Sequence, residues 1–215
     1  MSSGLCRRAL ERNGRAAQSG HMAAETPELP PADRLVETIP KGDTHLRKVC
    51  PDCGYIKYDN PKIITGAVCL WDDGGGDGGQ GEAGELVLLC RRAIPPRVGF
   101  WTIPAGYLEQ GESTAQGAVR ETMEEAGAAV AVESLIGVYE IPHISQIYVI
   151  HRARMLRPEY APGEESLDAA LFAWADIPWD ALAFSSVTWA LERYGESRSG
   201  TVPPIHYVAP SEIMK

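Results

Sequence analysis

Hydrophobic and polar positions alternate along this chain in segments of distinct length. Ile63–Trp71 and Leu86–Cys90 are nearly unbroken aliphatic runs of strand length, which predicts strands buried on both faces. Leu135–Tyr139, Gln146–Leu156 and Ala169–Ala173 predict further strands, and Gly99–Gly106 a loop with a short strand. From Ser113 the period changes to that of a helix. Ser113 with Gln116 three residues on makes a capping box, and Gly127 supplies the stop. On that helix Ala115, Ala118, Val119, Thr122, Met123 and Ala126 share one side, the expected core face, while Glu121, Glu124 and Glu125 share the other. Trp174–Tyr194 reads as a turn and a closing helix. Strands and helices interleaved around one core predict an α/β fold.

The flanks lack such periodicity. Residues 1–34 read as a disordered leader, residues 35–58 as a small ribbon-like segment, residues 59–195 as the main domain and residues 196–215 as a tail. The glycine-rich stretch Asp72–Gly84 reads as a long flexible hairpin loop without chemistry. Arg7, Arg8, Arg12 and Arg15 against Glu11 give the leader a weak likeness to an organellar transit peptide; the alternatives are an unstructured leader or an upstream extension before Met22. Five cysteines, without an apolar signal segment, point to a reducing compartment and a cytoplasmic protein rather than a disulfide framework. No stretch approaches the roughly 20 apolar residues of a membrane span. A formal charge of −9 and the lack of a basic stripe argue against nucleic acid as partner.

Acidity acquires meaning where carboxylates converge. Glu121, Glu124 and Glu125 lie at i, i+3 and i+4, where like charges repel, and near a helix C-terminus, where the dipole disfavours anions. A solvated face would mix in lysines; here the nearby cation is Arg120. Hard oxygen donors so placed suit Mg2+ or Mn2+.

The wider spacing resembles the Nudix box. Gly106, Glu112, Arg120, Glu121, Glu124, Glu125 and Gly127 stand at its glycine and polar positions, with Thr122 and Ala128 where larger aliphatics are usual. The resemblance implies an α/β/α sandwich with a mixed sheet and a catalytic loop-helix-loop. It implies that Glu121, Glu124, Glu125 and the Gly106 carbonyl hold metal, while Glu112 and Arg120 form a supporting pair. It further implies attack of water on a diphosphate, with Arg91 or Arg92 meeting a phosphate and Glu165, or its neighbour Glu164, serving as the base.

Tyr58–Lys62, Leu89–Arg92, Phe100–Gly106, Ala161–Leu167 and Leu182–Ser186 extend the likeness to a Nudix subgroup that includes plant plastidial FAD and ADP-ribose pyrophosphatases. That subgroup usually carries two Cys-x-x-Cys pairs. Here Cys50 and Cys53 form one pair, and Glu28–Pro31 stands where the other belongs. With His45 as the one further candidate, zinc is not expected, since a structural site needs four ligands. The expected substrate is FAD or ADP-ribose, cleaved to AMP and a monophosphate. The alternatives are a nucleoside-triphosphate sanitising enzyme and a non-catalytic ligand sensor. A NADH pyrophosphatase is disfavoured, because Ser145-Gln146 runs into Ile147-Tyr148 rather than a Pro-Trp-Pro-Phe-Pro array. The oligomeric state stays open, a homodimer among the options.

Overall fold

The computed structural model describes residues 29–72, 84–198 and 206–208. Most of the expected leader and nearly all of the glycine-rich loop lie outside the described residues. The chain divides into two compact units, Met1–Asn60 and Pro61–Lys215. The described part of the first holds β1 (Val36–Thr38), β2 (Arg47–Val49) and β3 (Ile56–Lys57) in one antiparallel sheet, in that order. The Asp43 carboxylate organises the β1–β2 connection by accepting from Thr44 N–H, His45 N–H and Arg47 Nε. Those donors, Arg47 first, hold its carboxyl well below the usual carboxylate range. The Cys50–Gly54 turn closes on itself through Gly54 N–H to Cys50 O.

The second unit follows from strand parity. Its elements are β4 (Lys62–Asp72), β5 (Glu85–Arg92), β6 (Trp101–Thr102), β7 (Ala105–Tyr107), α1 (Thr114–Ala126), β8 (Val130–Ile141), β9 (Gln146–Met155), β10 (Ser166–Ala173), α2 (Ser185–Arg198) and β11 (His206–Val208). The sheet runs β10-β5-β4-β9-β8-β11, with β6 on β5 and β7 on β4. It is mixed: β4 with β9 and β8 with β11 are parallel, the other pairings antiparallel. Successive side chains of a strand point to opposite faces. Val68, Leu70, Val87 and Leu89 accordingly join Val187, Ala190 and Leu191 of α2 in one core. Ala67, Cys69, Leu88 and Cys90 join Ala118 and Ala126 of α1 in the other. Of the runs expected to be buried on both faces, residues 64–70 and 87–90 are so buried while Ile63 is exposed, and the α/β/α layering stands.

Two expectations are corrected. The stretch from residue 196 is not simply a tail: α2 continues to Arg198, and His206–Val208 adds a parallel strand beside Gly137–Tyr139. The buried face of α1 is also rotated from the one expected. Gly117, Ala118, Glu121, Thr122, Glu125 and Ala126 are buried, while Met123 is 44% exposed. The small residues let the helix lie close on β4; a Cβ at Gly117 would stand 2.6 Å from Thr65 Cγ2. Thr122 fits where a larger aliphatic is usual because its hydroxyl donates to Ala118 O at 2.7 Å and meets Cys69 Sγ at 3.5 Å. No helix of the described residues is long and apolar enough to cross a membrane.

Candidate functional site

The helix that carries the carboxylates is fixed at both ends. Ser113 Oγ accepts from Gln116 N–H and Gln116 Oε1 from Ser113 N–H, so the expected capping box is formed. Thr65 Oγ1 donates to Thr114 O at 2.6 Å, and His151 Nε2 lies 3.1 Å from Thr114 Oγ1, tying the first turn to the sheet. At the other end Gly127 takes the left-handed conformation (φ 59°) and donates to Met123 O. Ala161 N–H then donates to Ala126 O and Gly163 N–H to Glu125 O. The loop bearing Glu164 and Glu165 is thus joined to the helix bearing Glu121, Glu124 and Glu125. A side chain at residue 163 would overlap Glu124 O, so this joint needs glycine.

Arg120 is the hub of the acidic cluster. It meets Glu112 through two hydrogen bonds, Nη2–Oε1 at 2.7 Å and Nε–Oε2 at 3.1 Å. Its Nη1 donates to Glu121 at 2.7 Å and Glu124 at 2.9 Å, and its Nη2 to Tyr107 O at 3.0 Å. Glu112 also accepts from Glu109 N–H, and Arg120 holds the Glu112 carboxyl below its ordinary range. One guanidinium therefore fastens the loop after β7 to α1. Gly106 passes so near Glu121 that a Cβ there would overlap its carboxyl group. Glu125 Oε2 accepts from Ala105 N–H at 3.0 Å.

These groups face a cavity of about 1040 Å³. Its walls include Gly106, Glu121, Glu124, Glu125, Glu164 and Glu165, together with Arg92. Arg91 does not line it: neighbours on β5 point to opposite faces, and Arg91 Nε instead donates to Gly99 O. Arg92 donates Nε to Pro96 O and lies over the Phe184 ring at 5.1 Å. The sequence patterns did not mark other parts of the wall, among them Arg97, Tyr148 on β9, and Phe184 and Trp189 around α2. A signal for Arg97 existed, a lone cation after Pro95-Pro96 in the loop preceding the box.

Burial first, with repulsion from neighbouring carboxylates, raises the pKa of both Glu125 and Glu121. Burial pushes Glu125 up to about 7, with Glu121 and Glu165 adding repulsion and Ala105 N–H and Arg92 opposing it. Glu121 is raised too, by burial first, with Arg120 pulling the other way. The ordinary pKa of Glu125 is 4.5, and a raised folded value means the folded chain holds its proton more tightly than the unfolded one. That stabilisation is complete below about pH 4.5 and is lost as pH rises through about 7. In EDTA, melting temperature is expected to fall between pH 5 and 8, and Glu125→Gln to flatten the decline. A Glu125→Gln melting profile as steep as wild type would refute this.

The donor set suits a hard divalent cation: carboxylates and a backbone carbonyl, with burial leaving charge to be compensated. Among the described residues, no three acidic, histidine or cysteine side chains yet surround one point. Arg120 draws Glu121 and Glu124 to itself while Ala105 N–H holds Glu125, so a cation would compete with Nη1 of Arg120 for those oxygens. The ribbon keeps one cysteine pair toward the four ligands of a structural zinc. Cys50 is buried and Cys53 half-buried, His45 is turned to solvent beside Asp43, and no third ligand joins the pair among the described residues. Metal analysis of purified protein is expected to find well under one zinc per chain; stoichiometric zinc would overturn that reading.

A model of the NUDIX domain matches residues 65–189. A second, described as Nudix N-terminal and belonging to a zinc ribbon, matches residues 32–59, although this chain keeps one cysteine pair there. The NAD-capped RNA hydrolase NudC of Pseudomonas aeruginosa is 30% identical over 159 residues, covering 73% of this chain and 52% of that protein. The ADP-ribose pyrophosphatase of Methanocaldococcus jannaschii is 30% identical over 104 residues, covering 45% of this chain and 60% of that protein. The chain thus spans little more than half the length of these curated relatives. A crystal structure of a NUDIX hydrolase from Nitrosomonas europaea aligns with TM-score 0.70 and 44% identity, covering 80% of this chain and 91% of that one.

Proposed function

The chain belongs to the NUDIX domain family, and on that premise we propose that it is a Mg2+-dependent hydrolase that cleaves the diphosphate of FAD or ADP-ribose to AMP and a monophosphate. One observation carries the reading: the box carboxylates, the Glu164–Glu165 loop and Arg92 converge on a single cavity of about 1040 Å³, a size suited to a ligand with two nucleoside-like ends. The aromatic wall of Tyr148, Phe184 and Trp189 suits a planar ring beside the diphosphate. The M. jannaschii relative, named an ADP-ribose pyrophosphatase, supports the substrate class.

Glu121, Glu124, Glu125 and the Gly106 carbonyl would hold the cation. When bound, it neutralises phosphoryl oxygens and lowers the pKa of water. The protein's own groups do the rest. Arg120 holds Glu112, Glu121 and Glu124 in register. Arg92, on the cavity wall beside these groups, adds positive charge near the diphosphate. A carboxylate oxygen of Glu165 takes the proton of the attacking water as its oxygen bonds to phosphorus, and the bridging oxygen leaves with the other phosphate.

The NudC relatives favour a second reading, cleavage of an NAD-type diphosphate. A panel of FAD, ADP-ribose, NADH and nucleoside triphosphates with Mg2+ tests both. FAD or ADP-ribose is expected to turn over fastest, with label from heavy-oxygen water appearing in one monophosphate. Faster NADH cleavage would favour the second reading, and faster triphosphate cleavage would exclude both. No hydrolysis of any compound would leave a ligand sensor.

A further inference from the structure

Three arginines border the cavity, and two are committed. Arg120 is engaged by Glu112, Glu121, Glu124 and Tyr107 O. Arg92 donates to the carbonyls of Pro96, Ile94 and Pro95 while its plane covers Phe184. Arg97 differs from both. Its guanidinium lies 5.1 Å from the centroid of the Phe100 ring, and among the described residues no carboxylate or carbonyl accepts from it. The face of the guanidinium is thus supported while its fork of N–H donors is uncommitted.

The backbone there is unusual as well. Arg97 has φ 66°, one of two described non-glycine residues with positive φ. A glycine would make this turn without the steric conflict a long side chain meets. Such conformations cluster at ligand clamps, and the inference runs from the outlier to the function. A diphosphate entering this cavity approaches Glu121, Glu124, Glu125, Glu164 and Glu165. A guanidinium fork fits two phosphate oxygens at once, which an uncommitted Arg97 is able to provide.

We propose that Arg97 is a substrate-binding residue that grips the diphosphate from the cavity rim, its donors held ready by the left-handed turn and the Phe100 ring. The assignment rests on the diphosphate reading above and adds the residue that selects a diphosphate over a monophosphate.

The test titrates the full chain with α,β-methylene-ADP, whose bridge resists hydrolysis, and with AMP, both in Mg2+. Arg97→Ala is expected to weaken α,β-methylene-ADP about tenfold or more, the loss of a charged hydrogen-bonding pair, and to leave AMP within about twofold. In turnover of the preferred panel substrate, KM should rise by a similar factor with kcat nearly unchanged, as for loss of uniform binding. Arg97→Lys should fall between wild type and Arg97→Ala. Arg97→Gly should bind as weakly as Arg97→Ala yet melt no lower than wild type, because it relieves the turn. Unchanged α,β-methylene-ADP binding in Arg97→Ala would overturn the assignment, and so would equal weakening of AMP. If wild type hydrolyses none of the panel yet still distinguishes α,β-methylene-ADP from AMP through Arg97, the hydrolase reading fails and this assignment stands.

Discussion

Glu125→Gln is expected to lower Mg2+-dependent turnover on the order of 10²–10³-fold, the scale of removing one electrostatic contact to the reacting group. The same change should raise melting temperature at pH 8 in EDTA. Glu125 is 8% exposed, and its ordinary pKa of 4.5 is pushed to about 7 by burial. Ionising it at pH 8 thus costs the fold up to about 3 kcal/mol, which a neutral amide of the same shape avoids. The amide oxygen can keep the bond from Ala105 N–H, so the local backbone is retained. Loss of activity with gain of stability is the signature of a group held against its own folding preference. Turnover measurements and EDTA melts on one preparation check both halves. A fully active Glu125→Gln protein insensitive to EDTA would remove the metal-site reading.

Gly106→Ala should separate activity from stability in the same sense. The new methyl group would overlap the Glu121 carboxyl. That carboxyl terminates a side chain that can rotate, so the fold can escape at modest cost, on the order of 1–2 kcal/mol. The escape moves a metal-binding oxygen, breaks its 2.7 Å bond from Arg120 Nη1, and disturbs Glu124 on the same nitrogen. Turnover is expected to fall about 100-fold or more, since displacing a reacting group by an ångström has that effect, and half-saturating Mg2+ should rise. Gly163→Ala is the contrast: its methyl group would meet backbone, Glu124 O, which cannot rotate away. A Gly106→Ala enzyme with wild-type turnover and Mg2+ requirement would mean that the 106–121 contact does not set ligand position.

Much of this site is legible in the sequence, because its determinants are local. The lengths of Ile63–Trp71 and Leu86–Cys90 specify strands without reference to their neighbours. The Ser113–Gln116 box and Gly127 bound α1 through hydrogen bonds within its own ends, and both form as expected. The spacing of Glu121, Glu124 and Glu125 along a 3.6-residue period places them on adjoining sides of one helix wherever that helix lies.

What the tertiary structure decided is rotation, parity and long-range closure. Periodicity gives angles between side chains of α1 but not the angle of the helix to the sheet. Close packing of Gly117 and Ala118 on β4 sets that angle, turning Met123 outward and burying Glu121 and Glu125. Arg91 and Arg92 are equivalent in sequence, yet opposite faces of β5 send one of them to the cavity. Arg97 acquires its place from a turn whose φ no side-chain pattern announces. The strand at His206–Val208 depends on the exposed edge of β8, 69 positions earlier in the pairing of His206 with Gly137. Sequence alone determined the chemistry available along one helix, because hydrogen bonds between near neighbours specify it; only packing of distant segments decided which of those groups meet, because burial is a property of the assembled layers.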